Sequence, residues 1–161
     1  MTVTNSKRII QEPSPRGRFL EGSLAVGQTP KPGTLIKKGS DGTWTAGCGA
    51  TDGAIDQVTV LIEDDMQGKT SADAYADAVS GTTGGHFFAY VPLAGERLYV
   101  LVKDLPGTGS ATDTHTIGDL LMGEATGGRL LVDASGAMKP FKVNETVGPL
   151  TADTLISCVR T

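Results

Sequence analysis

Short apolar runs alternate with turn residues along the chain, and most of the runs are too short for an ordinary helix. The clearest pair is residues 34–38 and 43–46, which flank the glycine-bearing segment 39–42. A connection of about four residues that contains glycine is typical of a β-hairpin. The pattern therefore predicts a hairpin at this position.

The runs in the middle of the chain predict the strands of a core. Residues 57–62 are β-branched and almost continuously apolar, which is typical of a strand covered on both faces. Residues 86–91 and 96–103 predict two more strands, the second of them central in the core. The acidic run 63–65 follows the first of these strands, and we expect it to be a solvated strand end.

The last third of the sequence repeats the hairpin pattern. Residues 128–133 and 137–143 flank the turn segment 134–136. This arrangement predicts a second hairpin in which the two flanking runs pair with each other. Residues 154–160 predict the last strand.

Three segments interrupt the strand pattern. Residues 71–78 are alanine-rich but cover only about two turns, so they predict a short helical turn or an irregular loop. The polar residues 105–116 predict a long loop, and residues 81–85 predict a break between strands. Nine or ten short strands without long helices predict an all-β fold, either a small β-sandwich or a barrel.

Composition agrees with a turn-rich β protein of one domain. The chain has 161 residues, of which 22 are glycine, roughly twice the average glycine usage. This length suits a single domain with its own core. No apolar run approaches the ~20 residues of a membrane span, and the N-terminal region has no apolar stretch of secretory-signal length. We therefore expect a protein made in the cytoplasm, with no membrane partner.

Charge divides the sequence into two parts. The formal net charge is −4, but residues 1–20 hold four basic groups and one acidic group. Prolines discourage regular structure there. We predict an extended basic N-terminal arm at residues 1–20 and a single β-rich body at residues 21–161. We expect the arm to make few buried contacts with the body. The arm is either a disordered tail or a segment ordered by a partner, with Ile9 and Ile10 as anchors.

Motifs for catalysis or metal binding are missing from the sequence. Residues 68–70 end like a phosphate-binding loop, but Glu63 stands where that loop requires glycine. His86 and His115 are the only histidines, and we expect His86 at a sheet end and His115 in solvent. We predict no catalytic residue, no cofactor and no metal site, which favours a binding or structural protein over an enzyme.

Three other side chains have structural interpretations. Cys48 and Cys158 are predicted to be buried free thiols, with a disulfide as the alternative. Trp44 is predicted to be a core residue, with an interface anchor as the alternative. The acidic body argues against direct binding of nucleic acid.

A pattern of glycine turns and short strands extends over residues 33–160. The segments that carry it are 33–36, 41–42, Gly53, 58–70, 73–75, 95–99, 117–121 and 127–130. This pattern resembles the capsid cement or head-decoration proteins of tailed bacteriophages. The resemblance implies a small β-sandwich or barrel-like body (β-tulip-like), with an extended N-terminal arm and long glycine-rich loops.

The same resemblance implies a function and a partner. Proteins of this family sit on the outside of the virion, often as trimers, and an N-terminal arm commonly reaches the major capsid protein. We therefore expect a homotrimeric capsid protein of the virion surface, made in the bacterial host, that stabilises the mature head. The predicted capsid contacts are Lys7, Arg8, Ile9, Ile10, Arg16, Arg18 and Phe19.

Two alternatives stay open at this point. One is a tail, baseplate or surface carbohydrate-binding β module, and the other is a trimeric all-β enzyme such as a nucleotide hydrolase.

Overall fold

A computed structural model describes residues 8–49, 57–64, 70–71, 74–75, 85–103, 115–132, 138–148, 150 and 152–161. Within these residues the chain forms ten strands and no helix, which confirms the predicted all-β class. The strands are β1 Arg18–Ser23, β2 Ile36–Lys38, β3 Trp44–Ala46, β4 Val60–Leu61, β5 His86–Val91, β6 Arg97–Val102, β7 Leu120–Gly123, β8 Leu130–Val132, β9 Phe141–Val143 and β10 Thr154–Arg160.

Five of the described strands close a barrel in the order β10-β6-β8-β7-β9. Its pairs are antiparallel except β6 with β8, which run parallel and pair only at Val102 and Leu130. A three-stranded sheet in the order β1-β5-β4 and the two-stranded sheet β2-β3 complete the described architecture. No described helix is long and apolar enough to span a bilayer.

Two apolar clusters lie on opposite faces of β4 and β5. Val60 and Tyr90 face the larger cluster, which also fills the barrel and is called the barrel core here. Leu61 and Ala89 face the other cluster, the small core. Because adjacent strand residues point to opposite faces, β4 is covered on both sides, as its apolar sequence predicts. The small core consists of Leu24, Ile36, Leu61, Tyr75, Phe87 and Ala89.

The first predicted hairpin is confirmed by the pairing of β2 with β3. Lys38 lies opposite Trp44, and the turn between them contains Gly42 at a φ of 86°. The side chain of Asp41 stabilises the turn, because its Oδ1 accepts hydrogen bonds from the N–H and the hydroxyl of Thr43 at 3.0 and 2.8 Å. Trp44 is half-buried and packs edge-on against Phe87 of the small core, with ring centroids 5.6 Å apart.

The second predicted hairpin is wrong in its pairing. β8 and β9 both pair with β7, which lies between them in the barrel. Leu121 of β7 is opposite Val132 on one side and Phe141 on the other. In a closed barrel both edges of each strand are paired. The second edge of β8 pairs with β6 and that of β9 with β10, so no edge is left for a direct β8-β9 pair.

Two polar residues predicted to be solvated are buried. Asp64 is 1% exposed, so the predicted solvated strand end is wrong at this residue. His115 is 3% exposed, so the prediction that it lies in solvent is also wrong. Its backbone exchanges two hydrogen bonds of 2.9 Å with Val147. His86 is exposed and begins β5, as predicted for a sheet end.

The cysteines are both free and buried, which confirms the thiol interpretation. Burial raises the pKa of the Cys158 thiol, and the charge of Glu145 adds to this effect. Cys158 therefore has little tendency to form the reactive thiolate. The predicted turn at 134–136 and most of the segments 71–78, 81–85 and 105–116 lie outside the described residues.

Candidate functional site at the N-terminal segment

One edge of β6 is covered by the N-terminal segment of the chain. Ile10 lies opposite Leu98 in an antiparallel bridge. The N–H of Tyr99 donates to the carbonyl of Ile9 at 2.8 Å, and the N–H of Gln11 donates to the carbonyl of Arg97 at 3.1 Å. Residues 9–12, called the N-terminal strand below, therefore complete the barrel wall where β8 does not reach.

Ile9 is the apolar anchor of the N-terminal strand. Its side chain is fully buried in the barrel core, and its N–H donates to Oε1 of Glu63 at 2.5 Å. The Gln11 side chain adds hydrogen bonds of 2.9 and 3.1 Å with the hydroxyl of Ser157. The expectation of few buried contacts in residues 1–20 is therefore wrong at Ile9.

The boundary predicted at residue 20 falls inside β1. Arg18 pairs with Val91 and Ser23 pairs with His86, so the strand continues across the boundary without a break. The buried carboxylate of Glu96 binds the chain just before β1. Oε1 of Glu96 accepts a hydrogen bond of 2.6 Å from the N–H of Arg16, and Glu96 is only 2% exposed.

Glu96 also binds the neighbouring turn and Tyr90. Its oxygens accept hydrogen bonds from the N–H of Leu93 at 2.7 Å and from the Tyr90 hydroxyl at 2.8 and 2.9 Å. Burial raises the pKa of Glu96, but the hydrogen bonds from Arg16, Leu93 and Tyr90 outweigh it, so the pKa is lowered. Burial and the bond to Glu96 raise the pKa of Tyr90 to about 12. The pair is therefore a carboxylate bound by a neutral phenol at neutral pH.

Gly17 can lie close to Tyr90 and Val91 because it has no side chain. Its N–H donates to the Tyr90 hydroxyl at 2.6 Å. A Cβ at this position would lie 2.2 Å from the carbonyl oxygen of Val91 and 2.6 Å from the Tyr90 ring. Glycine allows the backbone to approach this closely.

β1 lies at the edge of its three-stranded sheet within the described part of the chain. The N–H of Leu24 donates to the carbonyl of Gly85, and partners alternate along an antiparallel ladder. The N–H groups of Phe19 and Glu21 therefore point away from β5. Residues 16–21 are called the β1 edge below.

The β1 edge carries three of the predicted contact residues on the surface. Arg16, Arg18 and Phe19 are exposed, and Phe19 is 56% exposed although its ring centroid lies 5.0 Å from that of Tyr90. Arg8 is exposed and Ile10 is half-buried. Lys7 lies outside the described residues. Of the predicted contact residues that the structure describes, Ile9 is therefore buried, whereas the arginines and Phe19 are exposed.

A second polar cluster lies at the other end of β6 and was not found from the sequence. Glu124 binds Lys103 Nζ at 2.8 Å and takes two bonds of 2.7 and 2.9 Å from Arg129, which also reaches Asp153 at 2.9 Å. Burial raises the pKa of Glu124, but Arg129 and Lys103 outweigh it and hold the pKa low. These charges pair with one another, so the cluster joins the ends of β6, β7, β8 and β10.

Sequence reasoning also missed Glu96. The available signal was an acidic residue between a glycine turn and the most apolar strand of the chain, a position where a carboxylate needs several hydrogen bonds. In the described residues no group of three or more His, Cys, Asp and Glu side chains could hold a metal ion. No protein-family model matches the chain, and no curated protein matches it.

Proposed function

We propose that this chain is a structural decoration protein that binds the major capsid protein on the outer surface of a tailed-bacteriophage head and stabilises the mature shell. The observation that supports this best is the β1 edge. It combines exposed Arg16 and Arg18, the exposed apolar ring of Phe19 and outward N–H groups. A strand edge of this kind can pair with an extended segment of another protein.

The proposed assembly is a homotrimer without a cofactor. Three copies that bind neighbouring capsid subunits gain avidity from their effective concentration, so no single contact needs to be strong. Binding to the mature shell alone stabilises that shell by mass action. The charge on Arg16 and Arg18 favours an acidic region on the capsid protein.

The test uses shells assembled from the major capsid protein encoded in the same genome. The purified full-length protein is mixed with the shells and sedimented. We expect it to sediment with the shells, and we expect Phe19→Ala to weaken binding because it removes the exposed ring. Ile117→Ala is the matched control, because Ile117 is 67% exposed and lies outside the β1 edge.

Two results would count against the proposal. Equal loss of binding in both variants would remove the β1 edge as the contact. Absence of wild-type protein from the sedimented shells would contradict the capsid function and favour a tail, baseplate or carbohydrate-binding module.

A further inference from the structure

The loop at residues 13–15, between the N-terminal strand and the β1 edge, is exposed, and the residues at its two ends are hydrogen-bonded to the body. Oε1 of Glu12 accepts hydrogen bonds of 3.2 Å from the N–H and Nε of Arg97. At the other end, Arg16 binds Glu96. Residues 13–15 are exposed, and across the described part of the chain no hydrogen bond or ion pair joins them to the body.

The sequence of this loop opposes its closed shape. Glu12 and Ser14 each precede a proline, and the residue before a proline favours an extended backbone. Yet the chain bends at residues 13 and 14. The two ends of the loop bind neighbouring residues, Arg97 at the start of β6 and Glu96 just before it. A short hinge whose local preference conflicts with its closed form favours exchange of the segment between copies.

We propose that the N-terminal strand is exchanged between copies of this chain, so that residues 9–12 of one copy lie beside β6 of the next. Every contact of the strand is kept in the exchange: Ile9 fills the barrel core, and Gln11 bonds Ser157 as before, but in the partner. Glu12 and Ser14 then adopt the extended backbone that the following prolines favour.

The exchange places a contact between copies at the β5-β6 turn. An extended loop spans roughly 3.1 Å per residue, so four steps from Glu12 to Arg16 allow the partner's β6 to lie only about 12 Å from Glu96. This position brings the turns of neighbouring copies together. Leu93 in this turn is 49% exposed, an apolar side chain where the exchange requires an interface.

A disulfide between the N-terminal strand and β6 shows which copy supplies the strand. Gln11 lies opposite Arg97, and hydrogen-bonded antiparallel partners have Cα atoms about 5.5 Å apart, within disulfide range. The full-length Gln11→Cys/Arg97→Cys variant is oxidised and run on a denaturing, non-reducing gel. We expect covalent oligomers in place of the 16.6 kDa chain. A gel that shows only single chains with an internal disulfide overturns the proposal.

The single variants Gln11→Cys and Arg97→Cys are the controls, because neither can form this disulfide. A hinge variant, Pro13→Gly/Pro15→Gly, tests the same inference without a cross-link. We expect light scattering to show loss of the oligomer in favour of the single chain, because glycine removes the preference for the extended loop. An unchanged mass relative to wild type overturns the exchange. A wild-type protein that is a single chain and still binds shells would also overturn the exchange while leaving the capsid function standing.

Discussion

Residues 9–12 and the β1 edge are separated by only three residues, and both are rich in charged and β-branched or aromatic side chains. Ile9 is fully buried in the barrel core, whereas Phe19 is 56% exposed. The first region completes a barrel wall beside β6, and the second leaves a strand edge open within the described residues. The difference teaches that the neighbour of each strand decides whether its apolar residues stabilise the fold or are available for binding.

The largest expected effect is at Ile9. We expect Ile9→Ala to lower the free energy of unfolding by about 2–5 kcal/mol, the usual cost of truncating a buried aliphatic side chain. Urea unfolding measures the change. Ile117→Ala is the control, because truncation of an exposed side chain changes stability by about 0.5 kcal/mol or less. Equal midpoints for the two variants would show that the N-terminal strand is not part of the folded barrel.

Glu96 joins the two regions, and its removal should have an intermediate effect. Glu96→Gln keeps the shape but loses the charge that binds the N–H groups of Arg16 and Leu93. We expect a loss of about 1–3 kcal/mol, the range for a hydrogen bond to a buried charged group. Glu124→Gln is the comparison, because Glu124 pairs with Lys103 and Arg129 at the other end of β6.

The contribution of Glu96 should depend on pH. Its pKa in the folded protein is below the ordinary 4.5, so its stabilisation is complete above about pH 4.5 and is lost as the pH falls through the lower folded-state value. We therefore expect the stability difference between wild type and Glu96→Gln to shrink on acidification below about pH 4.5. Thermal unfolding across this range measures it. A difference that grows on acidification would contradict the assigned direction.

The smallest effect on stability is expected for the cations of the β1 edge. Arg16→Ala/Arg18→Ala should change the unfolding free energy by about 0.5 kcal/mol or less, because both side chains are exposed. Shell binding should weaken, and its dependence on salt should decrease, since screening acts on exposed charges. Lys38→Ala/Lys142→Ala removes two other exposed cations as the control. A large loss of stability in the edge variant would show that these arginines support the fold.

Local signals allowed part of this fold to be predicted from the sequence. The β2-β3 hairpin depends on a glycine turn between adjacent runs, and β4 depends on an almost continuous apolar run. Both features are visible within a few residues. The pairing of β7 with both β8 and β9 depends on closure of the barrel, which no short segment encodes.

The candidate site was predictable only in its exposed half. The charge of Arg16 and Arg18 indicates a surface, whereas the burial of Ile9 depends on the edge of β6, about ninety residues away in the chain. Glu96 was missed because its hydrogen-bond partners come from the N-terminal segment, from β5 and from the adjoining turn. Such a set of donors exists only after these parts have packed.

The position of β6 between β10 and the N-terminal strand has a consequence for how the protein is made. Gln11 and Ser157 bond across the start of β6 although they are 146 residues apart in sequence. During translation the ribosome must therefore synthesise β10 before this part of the wall can form. Contacts between such distant residues slow folding. Nascent chains should accordingly acquire protease resistance in the barrel only late in synthesis, and until then the unpaired strands are open to aggregation and to chaperones.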